Sequence, residues 1–470
     1  MLNNNVNDGA NGVTECPIPP GGTKKYKFLA EQYGTTWYHS HFSSQYANGM
    51  TGSILIRGPA SLPYDVDLGV FPIQDYYYGA ADDIQRSLIP GGAPPPSDNI
   101  MFNGTHVDEN GNGKYYRVKL QAGKRHLLRL INPSVDNTFT VSLVDHDMTV
   151  VAADFVPVNA FTASSLYLAL GQRYDVTIDA SKTPGNYWFN VTFAASGACG
   201  LVRPAISKPA AIFQYANAPA ALPTKAGTPP ADTFCADNLN FVPIVKRNTN
   251  TNSFPFNSTN DIDVQLAVKL WEGQNRTYWD VHGHDMNITW DEPTLEYIAK
   301  GDLGFPDRYN VHRVDNKGQW AYWVIENITP VPHPMHLHGH DFLILGKSPP
   351  YENPFLPANP VRRFTPASDL SGLKWNNPTR RDVTMLPGKG WLVVAFRVDN
   401  PGAWLFHCHI AWHVSQGLSL QFVERVSEIP STVRIDQIEP NCGAWTSYYA
   451  QSQCKQFDSG LKMLKRSTIS

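Results

Sequence analysis

The 470-residue sequence predicts an all-β fold of three homologous β-domains in series, the first of them truncated. Three observations carry that expectation. Charged residues make up only 17% of the chain, against roughly 25% in an average protein, while aromatics reach 12%. With 35 Gly and 37 Pro, the composition suits many short strands joined by turns better than long salt-bridged helices. A pattern of strand, turn and aromatic strand also recurs three times along the chain.

The first copy is GGTKKYKFLAEQYGTTWYHSH, with Tyr26, Trp37, His39 and His41. The second is GQRYDVTIDASKTPGNYWFNV, with Tyr174 and Trp188. The third is GKGWLVVAFRVDNPGAWLFHCH, with Trp391, Trp404, His407 and His409. Each sets alternating apolar positions before a Gly-containing turn and an aromatic strand, which predicts a half-buried hairpin. A second element precedes the later two copies, as FTVSLVDHDM (Phe139–Met148) and MHLHGHDFLI (Met335–Ile344). With His146 aligned on His340, the hairpin Trp follows after 42 and 64 residues. Either offset, counted back from Trp37, falls before Met1. The opening strands of the first domain are therefore expected to be missing. The expected layout is residues 1–64, 65–215, a Pro/Ala-rich linker at 216–234, 235–461 and a C-terminal extension at 462–470.

The net charge of −3 gives no electrostatic case for nucleic acid or an anionic membrane. Apolar stretches such as Trp391–Phe396 fall far short of the ~20 residues of a membrane span. Six Cys and N-x-[ST] sequons at Asn103, Asn190, Asn257, Asn275, Asn287 and Asn327 point to a secreted protein with a few disulfides. Its first 25 residues hold no apolar signal core, so a signal peptide is expected to have been lost with the N-terminus.

Nine of the 15 His fall in three tracts: WYHSH (His39, His41), HPMHLHGH (His333, His336, His338, His340) and HCHIAWH (His407, His409, His413). Imidazole is a common metal ligand, and alternation along a strand turns spacing into geometry. His39 and His41 share a face, as do His336 and His338, and His407 and His409. Three such pairs can converge on one multi-metal site. Cys408, between His407 and His409, points the other way. His333 has the opposite parity to His336, and His413 follows Cys408 closely enough to loop back onto the same metal. One Cys with two His is the donor set of a blue copper electron-transfer site. The spacings of structural zinc sites are absent. Residues 407–409 would then wire that copper directly to the histidine-only cluster. Ten residues after Cys408 stands Leu418 rather than Met. A non-coordinating axial neighbour favours Cu(I) and a high potential, suited to phenols and aromatic amines. His340 aligns with His146 of the metal-free middle repeat and reads as structural. His106, His126, His282, His284 and His312 read as isolated.

HPMHLHGHDF, HCHIAWHVSQGL and GTTWYHSHFSSQYANGMTG resemble the multicopper oxidases, most of all the laccases of ascomycete fungi. NGVTECPIPPGG, VPVNAFTASSLYLALGQRYDV and the terminal DSGL extend the resemblance over essentially the whole chain. It implies three cupredoxin-like Greek-key domains, a type 1 copper in the last, and a trinuclear cluster between first and last. It places the type 1 copper on His333, Cys408 and His413 with Leu418 axial. The type 2 copper falls on His336, and the type 3 coppers on His39, His41, His338, His407 and His409. It implies four coppers in a complete enzyme, pairing of Cys16 with Cys442 and Cys199 with Cys235, and an odd Cys454. Asp458–Leu461 matches the processed end of such laccases.

The family's further His-x-His pair, in an H-W-H-G motif, is absent, leaving eight of the ten expected histidines. On the substrate side, Asp136 matches an acidic position that accepts a phenolic proton. Trp412 precedes His413, so donor aromatics are expected to stack near that edge, and Trp279 matches a position lining the donor pocket. The expected protein is a secreted, monomeric oxidase of phenolic or aromatic-amine donors that reduces dioxygen to water. A ferroxidase or ascorbate oxidase, or a copper-binding but oxidase-inactive chain, stand as alternatives. The flanks ENITPVPHPMH and AWHVSQ offer few of the acids a ferroxidase needs.

Overall fold

The computed structural model describes residues 2–202, 207–249, 254, 261–271 and 274–453. Asn257, Cys454, Asp458–Leu461 and the 462–470 extension lie outside the described residues, as does the side chain of Asn275.

Among the described residues four large sheets build two sandwiches, the all-β class that the low charge and high Gly and Pro content predict, while the expected first domain contributes only a two-stranded sheet. In the first sandwich, a five-stranded sheet faces a six-stranded one. The five-stranded sheet runs Leu166–Leu168, Phe139–Leu143, Asn186–Thr192, Ser207–Tyr215 and Tyr116–Leu120. The six-stranded sheet runs Asn99–Phe102, Val66–Tyr76, Arg125–Ile131, Arg173–Asp179, Met148–Ala153 and Val156–Ala163. The second sandwich repeats the plan. Its six-stranded sheet runs Gln274–Val281, Asp261–Trp271, Trp320–Asn327, Gly390–Arg397, Phe342–Lys347 and Arg380–Arg381. Its five-stranded sheet runs Val311–Val314, Ser419–Glu424, Gly402–Cys408, His333–Leu337 and Val383–Leu386. Each large sheet is antiparallel apart from one parallel pairing, the mark of crossover rather than meander connections. Gly34–His39 pairs antiparallel with Thr51–Ile56 in a separate two-stranded sheet.

The strand-turn-strand pattern recurs in the second and third copies, but not as hairpins. In the second copy, Arg173–Asp179 and Asn186–Thr192 belong to opposite sheets of one sandwich, and in the third copy Gly390–Arg397 and Gly402–Cys408 do the same. The turns SKTPG and DNPG carry the chain across the core instead of folding it back beside itself. Burial explains why. Arg173–Ile178, Gly390–Phe396 and all of Gly402–Cys408 are buried at every position, as strands covered on both faces are. In the first copy, residues 24–30 form no strand at all and run extended over the surface.

Each sandwich fills its interior with Val, Leu, Ile and Phe. The second core runs on into Cys408, Trp404 and Trp412, so the HCHIAWH tract is continuous with it. Cys16–Cys442 ties the N-terminal segment to the last helix, Ile438–Gln451, and Cys199–Cys235 closes the second predicted bridge. Residues 216–232 carry no helix or strand. Buried ion pairs join the two sandwiches. Arg381 donates to Asp154 at 2.9 and 3.0 Å, and Arg173 donates to Asp382 at 2.6 and 2.7 Å. Among the described residues no helix is long and apolar enough to cross a membrane.

Candidate metal centre

The strand Gly402–Cys408 is central in its sheet, with His333–Leu337 on one side and Ser419–Glu424 on the other. Alternation along it sends His407 to one face and Cys408 to the other, and His409 follows just past its end. Two donor clusters result, back to back.

On the Cys408 face, Sγ lies 3.6 Å from His333 Nδ1 and 3.7 Å from His413 Nδ1, and the two nitrogens are 3.2 Å apart. Donors held at metal-bond lengths of about 2.0–2.3 Å around one centre sit at such separations. All three residues are buried. His333 comes from a strand that Pro334 does not break, and His413 from the short helix Ala411–Ser415. Trp279 packs both imidazoles, its ring 4.7 Å from His333 and 4.4 Å from His413, and Gln416 O accepts its backbone N–H at 2.9 Å. The Leu418 carbonyl accepts the Cys408 N–H at 3.0 Å, and its side chain is fully buried.

On the opposite face, His39, His41, His336, His338, His407 and His409 form one ring-to-ring network. Neighbouring centroids lie between 5.0 Å for His336–His338 and 5.7 Å for His336–His409. His338 Nε2 and His407 Nε2 stand 3.2 Å apart. Donor atoms of His41, His338 and His407 all lie within 4.8 Å of one another. The outer nitrogens are anchored. His336 Nδ1 is 2.7 Å from the Asp382 carbonyl, His407 Nδ1 2.7 Å from the Cys408 carbonyl, and His39 Nδ1 3.0 Å from the Ser40 carbonyl. An imidazole that donates from Nδ1 presents a bare Nε2 to the centre, the usual arrangement around a bound metal. The His407 anchor is also a bridge, because it joins the histidine cluster to the backbone of the residue whose sulfur serves the other site.

Charge explains what these clusters lack. Burial, and then the neighbouring imidazoles, push His41, His336, His407 and His409 well below the ordinary histidine pKa. Burial lowers His413 to about 3 and His39 to about 4, and raises the Cys408 thiol. An uncharged imidazole whose one N–H is donated outward has only a lone pair to turn toward its neighbours. Among the described residues, His41 Nε2 and His409 Nδ1 have no hydrogen-bond partner. A bound cation relieves this repulsion and turns the thiol into a thiolate ligand. Both donor sets therefore fit copper.

Asp8 is a contributor that sequence reasoning missed. Its Oδ2 lies 2.6 Å from His338 Nδ1, with 330 residues between them. Trp37 stacks on His39 with centroids 4.5 Å apart, and Tyr46 donates to the His409 carbonyl at 3.2 Å. Gly171 is fixed by space. It has φ +77°, and a Cβ there would stand 2.9 Å from His409 Cδ2. A cleft reaches the cluster, with Ser43 and Ser415 beside His39, His41, His407 and His409 on its wall.

The other expected residues divide. His340 bonds the buried Glu424, Nε2 to Oε2 at 2.9 Å, and is not part of the donor network, as its alignment with His146 implied. Trp412 is fully buried and meets Tyr77 edge-on at 5.9 Å, so it is no open platform for a donor ring; its helix turns it into the core. His282 and His312 are not isolated, their rings lying 5.2 Å apart. Asp136 sits in the loop 132–137, whose Val135 carbonyl accepts the Ala411 N–H at 2.9 Å at the start of the His413 helix. Burial, then the Asp75 charge, raise its carboxyl to about 7.

Three family profiles, each described as multicopper oxidase, match residues 1–61, 67–218 and 274–428. The chain is 54% identical to laccase-1 of Melanocarpus albomyces over 97% of its own length and 74% of that protein. It belongs to the multicopper oxidases. A laccase of Neurospora crassa is 50% identical over 98% of this chain and 74% of its own. Among solved structures, the laccase of Botrytis aclada superposes with a TM-score of 0.84 at 35% identity, covering 98% of this chain and 83% of that one. Fet3p, a multicopper oxidase that functions in iron import, gives 0.81 at 26% identity, over 95% and 82%. This multicopper oxidase is a copper-dependent oxidoreductase of laccase type, and its sandwiches are cupredoxin-like.

Proposed function

We propose that this laccase-type oxidase takes electrons from phenolic or aromatic-amine donors beside the Cys408 site and delivers them to dioxygen at the histidine cluster. The observation that carries the reading is the alternation at residues 407–409, which puts one sulfur-containing and one nitrogen-only donor set on opposite faces of a single strand. His333, Cys408 and His413 would hold the type 1 copper, with the buried, non-coordinating Leu418 as a neighbour. His336 would hold the type 2 copper, and His39, His41, His338, His407 and His409 the type 3 pair. Bound copper supplies one-electron transfer, collecting four electrons singly and reducing one dioxygen to two waters.

The protein's own groups do the rest. Trp279 packs the His333 and His413 rings and keeps water from them. Asp136 takes the phenolic proton on a carboxylate oxygen as the donor loses its electron. Asp8 orients His338 by accepting its Nδ1 proton. Domain limits of 1–64, 65–215, 216–234 and 235–461 accord with the sheet memberships. The two disulfides accord with secretion, and the proposed working unit is a monomer.

The test is the copper-loaded protein with its blue absorption and oxygen uptake measured together. Blue colour that vanishes in Cys408→Ser, with faster oxygen uptake on a phenol than on Fe(II), is expected. Absent blue colour, or uptake driven by Fe(II) alone, would overturn the reading.

A further inference from the structure

We propose that Asp75 is a positioning residue for phenol oxidation. Its carboxylate builds the loop that presents Asp136 and fixes the negative charge beside which Asp136 receives the donor's proton. This rests on the reading of Asp136 as the proton acceptor.

Asp75 lies near the end of the strand Val66–Tyr76 and is 4% exposed. Its two oxygens accept four N–H groups from one short loop. Oδ1 takes the Val135 amide at 2.9 Å. Oδ2 takes the Asp136 amide at 2.9 Å, the Asn137 amide at 3.0 Å and Asn137 Nδ2 at 3.0 Å. Ser134 Oγ accepts the Asp75 N–H in return, at 2.9 Å. A β-strand carboxylate thus takes three successive amides of loop 134–137, while Asn132 holds its ends through the Ser134 N–H and the Asn137 carbonyl, and the same loop bonds Ala411, two residues before His413. Burial raises the Asp75 carboxyl and the four donors oppose that rise, favouring a retained charge. A neutral side chain accepting fewer bonds would hold the loop less well and exert no charge on its neighbour.

The step served is a one-electron, one-proton oxidation. The phenolic O–H bond breaks and the proton goes to an Asp136 oxygen. The electron goes to the copper oxidant of the enzyme's own reaction, leaving a phenoxyl radical. Four groups share charge with Asp136: Asp75 on its strand, Tyr46 and Tyr77 packed nearby, and Cys408 across the loop. Of these four, only Asp75 is a carboxylic acid; burial pushes the two phenols and the thiol up, which keeps them neutral.

The test compares Asp75→Asn with wild type and Asp136→Asn, all copper-loaded and matched for blue absorption. Two donors are followed against pH, a phenol and ferrocyanide, which releases no proton. Removing the neighbouring charge is expected to move the acid limb of phenol kcat/KM down by about one pH unit or more. The ferrocyanide profile should stay in place. Infrared titration gives a second readout without turnover. The carboxyl band that disappears in Asp136→Asn should titrate at correspondingly lower pH in Asp75→Asn. Equal losses for both donors with an unmoved limb would make Asp75 merely structural and overturn the proposal. If Asp136→Asn itself leaves the phenol profile unchanged, the proton-acceptor reading fails instead. Should Asp75→Asn not yield blue protein, Asn137→Ala keeps the charge with one donor fewer, and the limb should move up. An unmoved limb there refutes the proposal as well.

Discussion

Replacing Asp8 with Ala isolates the contribution of one distant carboxylate to the histidine cluster. Asp8 and the His338 side chain are each 9% exposed, and their 2.6 Å contact is the only anchor on His338 Nδ1 among the described residues. A charge-assisted hydrogen bond in such a setting contributes about 1.5–3 kcal/mol, which at 1.4 kcal/mol per decade is roughly 10–100-fold in copper affinity. Outer partners of metal-bound histidines cost a similar 10–100-fold when removed, so two routes give about the same magnitude. The assay is chelator competition on the copper-loaded protein, with blue absorption as the internal control. Asp8 touches none of His333, Cys408 or His413, so the blue band should persist while cluster copper is lost at lower chelator concentration. Unchanged cluster affinity, or parallel loss of the blue band, would refute the claim that Asp8 acts through His338.

Asp154→Ala removes the carboxylate paired with fully buried Arg381, and breaking such a pair costs about 3–5 kcal/mol; at roughly 1 °C per kcal/mol for a chain of this length, calorimetry should show Tm lowered by about 3–5 °C. The same groups set an acid limit. Burial alone would raise Asp154 and Asp237, but the Arg381 and Arg173 charges at the first, and Lys347 and Arg381 at the second, hold both below the ordinary 3.8. Their stabilisation is complete above the unfolded value and is lost as pH falls through the lower folded ones, so denaturant midpoints should fall steeply only below about pH 4. Gly171→Ala presses a Cβ on His409 from a left-handed backbone position, so cluster copper spectra should change while the blue band stays. Glycopeptide mapping should find Asn327 and Asn287 unmodified. Asn327 is fully buried and donates to the Val331 and Pro387 carbonyls at 2.7 and 3.1 Å, and Asn287 is 8% exposed.

The two donor clusters were legible because strand alternation is a local rule. Whatever sheet it joins, a strand carrying His-Cys-His must split its donors between two faces, and the tract HPMHLHGH obeys the same parity. The all-β class followed from composition for a related reason, since Gly, Pro and aromatics report turns and half-buried strands residue by residue. The hairpins failed because alternation within a strand does not say which partner it pairs with. Arg173–Asp179 and Asn186–Thr192 satisfy the hairpin pattern yet face each other across a core. Trp412 failed likewise. Adjacency to His413 predicts proximity to the site, but the helical turn at Ala411–Ser415 decides which way the indole points.

Asp8 and Asp75 escaped detection for a deeper reason. Each acts on backbone or imidazole N–H groups tens to hundreds of residues away, and a hydrogen-bonding carboxylate leaves no periodic trace in its own neighbourhood. The ligands of this oxidase are therefore written as local patterns, whereas the groups that orient them are written only in the tertiary fold. The two kinds of residue should fail differently. Losing a ligand removes a metal and its spectrum outright. Losing Asp8 or Asp75 leaves every ligand in place and shifts an affinity or a pH profile, so the graded measurements test whether the fold, and not the motif alone, tunes the chemistry.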